Sequence, residues 1–154
     1  MTRLEEIKKF LAARTSEFER MSWHINLSPD DIRHLSVFAD GNDVSLAAKA
    51  VHLASLFPGG AEVVMKAARN PSDTIKVAAA GACRNIRTRM RNFILRAMLE
   101  DSNTGVRKTA LDSIGPGASG KIRKQVIRLS WEDPDPRIRG LALSKIEHLR
   151  CPKP

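Results

Sequence analysis

Tyrosine is absent from this 154-residue chain, two tryptophans and five phenylalanines make up all the aromatics, and there are only two cysteines. So few aromatic rings leave little material for base-stacking platforms. Two cysteines are too few for a disulfide framework. Cys83 falls at a position that alanine or isoleucine fills elsewhere, so it reads as a small buried hydrophobe, while Cys151 lies in the terminal tail. No apolar run approaches the 18 or more residues that a membrane-spanning helix needs. The opening MTRLEEIKKF places charge where a signal peptide carries its apolar core, so a cytoplasmic location is expected. The four histidines, His24, His34, His52 and His148, show no metal-ligand spacing. Asp31 and His34 stand one helical turn apart, where an ion pair is expected rather than catalysis. GPGASG, residues 115–120, lacks the preceding strand and the Lys-Ser/Thr pair of a phosphate loop and reads as a linker. Neither enzyme nor cofactor is indicated.

What the chain does have is a repeat. Four times a helix-capping residue is followed by a branched or leucyl residue, then alanine, then a small or apolar residue, at intervals of three, four and four. The sets are Asp43/Leu46/Ala50/Ala54, Ser72/Ile75/Ala79/Cys83, Asn103/Val106/Ala110/Ile114 and Asp135/Ile138/Ala142/Ile146, spaced 29, 31 and 32 residues apart. Eight residues before the caps stand Leu35, Val64, Leu95 and Ile127, and four before them Ala39, Ala68, Leu99 and Trp131. Positions four apart share a helical face, so each unit reads as a helical hairpin. First helices are expected near 29–39, 61–69, 90–100 and 121–131, second helices near 44–56, 73–86, 104–114 and 136–149. Gly-Pro clusters at 58–60 and 115–117 separate units, and Pro136 takes a first helical position, where its missing N–H costs nothing. Residues 1–27 differ. Thr2 with Glu5 makes a capping box, and Leu4, Ile7, Leu11 and Phe18 give a stripe through about residue 20, read as a helix covering the open end of the array. Trp23 to Leu27 would be a connector. The expected architecture is an all-α, single-domain solenoid: an N-terminal cap over 1–27, hairpins near 28–59, 60–88, 89–119 and 120–149, and a tail of 150–154.

The pattern Asp133, Pro134, Asp135, Ile138, Arg139, Ala142, Ile146 resembles the HEAT family, particularly the short HEAT-like units described in phycobilin lyases. Asp101, Val106, Arg107, Ala110 and Ile114 match it one unit earlier, and Ile75, Lys76 and Ala79 keep it with lysine for arginine; the first unit departs, with Gly41 and Ala47 at the acidic and basic positions. The resemblance covers about residues 28–149. It implies a superhelix that binds partner proteins, with minorities of the family binding nucleic acid or acting as enzymes. It also implies that Asp101, Arg107, Asp133 and Arg139, with Lys76, form a structural ladder between units.

Charge supplies the candidate site. Net charge is +9, and residues 71–154 hold 17 Lys/Arg against 8 Asp/Glu, whereas 1–70 are balanced at 9 and 9. An acidic partner is implied. Residues 84–96 contain Arg84, Arg87, Arg89, Arg91 and Arg96 without an acid. Three of these align with Lys121, Arg123 and Arg128 at a spacing of 32 residues, so stacking would line up a basic stripe that also includes Lys124. Phe93, the nearby aromatic, is expected in the core. Two ligands fit such a stripe: an acidic protein surface, which is preferred, and nucleic-acid phosphate. A second surface, the small residues Ala48, Val77, Gly81, Gly140 and Ser144 on the second helices, would suit either a shallow groove or tight curvature of the stack.

Overall fold

The computed structural model describes residues 1–13 and 26–150. The expectations for Phe18, for most of the connector from Trp23 and for the tail with Cys151 lie outside the described residues. Among the described residues there is no strand, and they form nine α-helices and two 3₁₀ turns. It divides into two compact units, residues 1–79 and 80–154.

The first unit holds α1 (Arg3–Ala12), α2 (Ile32–Ala39) behind a 3₁₀ turn (Pro29–Asp31), α3 (Val44–Ser55), α4 (Ala61–Ala67) and most of α5 (Asp73–Ala82). Thr2 and Glu5 form the capping box: the Glu5 N–H donates to Thr2 Oγ1 at 3.3 Å and the Thr2 N–H to Glu5 Oε2 at 2.7 Å. Ile7, Phe10 and Leu11 are then buried as α1 packs on α2 and α3. α1 begins at Arg3. It stops at Ala12, Ala13 is extended, and Lys49 Nζ reaches across from α3 to donate to the carbonyls of Leu11 and Ala13 at 2.9 and 2.8 Å. A cation there satisfies carbonyls that a helix end leaves unpaired and meets the negative pole of its dipole. Arg3 forks onto Asp31, Nε to Oδ1 at 2.9 Å and Nη2 to Oδ2 at 2.7 Å, joining the start of α1 to the turn before α2.

The second unit contains a 3₁₀ turn (Cys83–Asn85), α6 (Thr88–Met98), α7 (Thr104–Ser113), α8 (Gly120–Glu132) and α9 (Pro136–Arg150). α6 packs on α7 and α8 on α9, and across these pairs α6 packs on α8 and α7 on α9. The four repeat alanines, Ala50, Ala79, Ala110 and Ala142, are all fully buried. A methyl group at these positions fits where helices approach closely, and a larger side chain would push them apart.

Caps form where the repeat places them. Asp43 accepts from the Leu46 N–H at 3.0 Å, Asn103 from Val106 at 3.1 Å and Asp135 from Arg137 at 2.8 Å. A further bond recurs two residues upstream. Side-chain oxygens of Asn70, Asp101 and Asp133 accept the N–H groups of Ser72, Asn103 and Asp135 at 2.8, 2.9 and 2.9 Å. The acidic position of the pattern therefore shapes its own turn before it touches anything else. Gly41, at that place in the first repeat, has no side chain to do so.

Candidate functional site

The candidate basic residues of the second unit divide into three groups. Asn92 Nδ2 donates to the Gly117 carbonyl at 2.9 Å, Gln125 Nε2 to the Arg96 carbonyl at 2.8 Å, and Arg128 pairs with Glu100. Contact positions rise together along both chains, so α6 and α8 run parallel. Lys121, Gln125 and Arg128 are four and three apart, which places Lys121 on the same edge of α8 as the two residues that touch α6. Facing them, Arg89, Phe93 and Arg96 follow one another at four and three residues along α6, and all three are exposed. Phe93 was expected in the core and is 56% exposed, because the buried side of α6 is taken by Ile94, Leu95 and Met98. Lys124, also exposed, completes this first group.

Arg91 and Arg123 leave the stripe. Two residues turn a helix by about 200°, so neither can share a face with the residue two before it. Arg91 turns inward: its Nη2 donates to the Pro116 carbonyl at 2.7 Å and its guanidinium packs over Gly115, bracing the connector between α7 and α8. Arg123 points the other way and lines a cleft with Ile127, Ile146, Leu149 and Arg150. Arg84 and Arg87 are exposed at the 3₁₀ turn and the start of α6, and Arg84 lies close enough to Lys145 to add to the burial that holds its ammonium below the ordinary range.

The third group holds the pairs together. Arg107, 7% exposed, donates from Nε and Nη2 to Asp133, 3% exposed, at 2.8 and 3.0 Å, and from Nη1 to the carbonyls of Asp101 and Ser102 at 3.0 and 3.1 Å. Arg139 repeats only part of this, with Nη1 donating to the Asp133 carbonyl at 2.6 Å. Lys76, in the other unit, pairs with Asp73 at 3.2 Å.

Chemistry is less well provided for. A cleft of about 400 Å³ gathers Glu100, Asp101, Glu132 and Asp133 with Arg107 and Arg128. Both of its arginines are engaged: Arg128 and Gln125 hold the Glu100 carboxyl below its usual range, and Arg107 forks onto Asp133. Among the described residues no group of three His, Cys, Asp or Glu side chains could hold a metal. Asp31 is bound by Arg3 and the Ser28 N–H, which hold its carboxyl down at about 2, so it serves structure rather than His34. Burial pushes the Cys83 thiol up to about 12, removing it as a nucleophile at neutral pH. Of the small residues, Ala48 and Val77 lie in the first unit and Gly81, Gly140 and Ser144 in the second; Gly81 faces Thr109 and the space at Gly140 is open. No helix among the described residues is long and apolar enough to cross a membrane.

No protein-family model matches the chain, and no curated protein matches it.

Proposed function

We propose that this chain is a HEAT-like α-solenoid acting as a non-enzymatic cytoplasmic scaffold, which docks on an acidic protein surface through the α6–α8 seam. The exposed Phe93 between Arg89 and Arg96 carries the reading. An aromatic ring flanked by guanidinium groups is the composition that concentrates binding energy at protein interfaces. Arg87 and Arg89 at the start of α6, and Lys121 in the first turn of α8 with Lys124 just beyond it, add weight. Neither first turn contains an acid. Cations at the positive pole of a helix dipole each cost a few tenths of a kcal/mol or more, so folding alone does not favour them there. An acidic partner removes that cost on docking.

A second reading, phosphate contact by a nucleic acid, draws on one observation: α6 has no side-chain cap at Arg87, and such an open N-terminus beside arginines suits phosphate. The test is capture from native-host lysate, with and without nuclease, using wild type and the Arg89→Glu/Phe93→Ala/Arg96→Glu triple variant. The expected result is a specific acidic protein recovered by wild type after nuclease treatment and lost with the variant. Equal recovery by the variant overturns docking through this seam. Nuclease-sensitive recovery, with duplex affinity falling by a log–log slope of about −0.9 per phosphate neutralised, replaces it with the second reading.

A further inference from the structure

One face occurs twice in the second unit, once covered and once open. Along α7, Arg107, Leu111 and Ile114 lie four and three residues apart, on one side of the helix. Both outer members touch the α8–α9 pair: Arg107 forks onto Asp133, and the Ile114 carbonyl accepts from Lys145 Nζ at 3.3 Å. The α8–α9 pair therefore lies over this side, and Leu111 between the contacts is buried. On α6, Leu95 and Leu99 are buried too, Leu99 beside Leu129 and Asp133.

Thirty-two residues later the same positions are Arg139, Leu143, Ile146, Ile127 and Trp131. Leu143 is 57% exposed, Ile127 44% and Trp131 81%. Ile127, Ile146 and Leu149 line a cleft of about 170 Å³ with Arg123 and Arg150 at its margin. Arg139 completes the likeness. Its Nη1 binds the carbonyl six residues back, as Arg107 Nη1 does, yet the edge that Arg107 turns to a carboxylate meets none here among the described residues.

We propose that this end face docks a helical hairpin of a partner protein, whose turn presents a carboxylate to Arg139 and whose apolar sides cover Ile127, Leu143 and Ile146. The covered face supplies the template, since α8–α9, with Asp133 between its helices, is such a hairpin. A second copy meeting face to face is disfavoured, because Arg123, Arg139 and Arg150 would oppose their own equivalents. The inference uses residues other than Arg89, Phe93 and Arg96, so the seam and the end face succeed or fail separately.

The test tethers the known template: the full chain is followed by a second copy of residues 115–150, which raises its local concentration at the face. Amide exchange over 139–149 should slow at least tenfold relative to the unextended chain. Leu143→Asp in the original copy, an exposed position where the fold survives, should abolish the slowing. Arg139→Gln, or asparagine for the appended counterpart of Asp133, should each remove most of it, whereas Arg89→Glu/Arg96→Glu should leave it intact. Unchanged exchange on tethering, or slowing that survives Leu143→Asp, overturns the proposal. Sedimentation of the unextended chain that shows a dimer abolished by Leu143→Asp overturns the choice of occupant.

Discussion

Each unit contains an arginine forked onto a buried aspartate, and the two forks are built differently. In the first, Arg3 comes from α1 and Asp31 from the turn before α2; the arginine side chain is 36% exposed. In the second, Arg107 and Asp133 occupy repeat positions, both are buried, and the aspartate also shapes its own turn through the Asp135 N–H. The first fork ties a covering helix to a hairpin with water still reaching the guanidinium. The second welds one hairpin to the next with both partners buried.

Breaking the second fork should therefore cost most. Asp133→Ala leaves the Arg107 guanidinium buried without its carboxylate and removes the turn bond, so denaturant unfolding should show a loss of about 3–5 kcal/mol. A loss below about 1 kcal/mol would mean that water replaces the carboxylate. The first fork should cost less and show itself in acid. The Asp31 carboxyl lies at about 2 in the folded chain against an ordinary value near 3.8, so the stability it adds is complete above about pH 5 and disappears as pH falls through 4 toward 2. Arg3→Gln should lower stability at pH 7 by about 1–2 kcal/mol, discounted for the exposure of Arg3, and narrow its gap from wild type by pH 2. An undiminished gap at pH 2 would assign the loss to packing. Smallest of all should be Arg139→Ala. It stands at the Arg107 position without a carboxylate partner among the described residues, so a change within about 0.5 kcal/mol is expected, and a loss approaching that of Asp133→Ala would contradict the open face.

The hairpin pattern was legible because each of its elements is local. A cap, a branched residue and an alanine within eleven residues declare themselves by spacing, and Asp43, Asn103 and Asp135 cap where that spacing puts them. Arg3 and Asp31 carried no such signal: their partnership spans 28 residues, joins a helix outside the repeat to the start of the first hairpin, and depends on where α1 packs. The basic stripe was read from alignment alone. Aligning positions 32 apart found Arg89 with Lys121 and Arg96 with Arg128. It also admitted Arg91 and Arg123, because alignment matches helices without asking which way a side chain turns. The hydrophobic positions Ile127, Trp131 and Ile146 align with Leu95, Leu99 and Ile114, which are buried, and the repeat alone does not separate the two environments.

The sequence by itself determined the all-helical character, the caps, the buried alanines and the concentration of positive charge in the second half, since these depend on neighbours within a few residues or on composition. Tertiary structure decided which equivalent positions are equivalent in environment. Arg107 is buried and Arg139 is not, and Leu111 is covered while Leu143 is open. Burial belongs to the contact with another element, and a repeat encodes a face without encoding what lies against it.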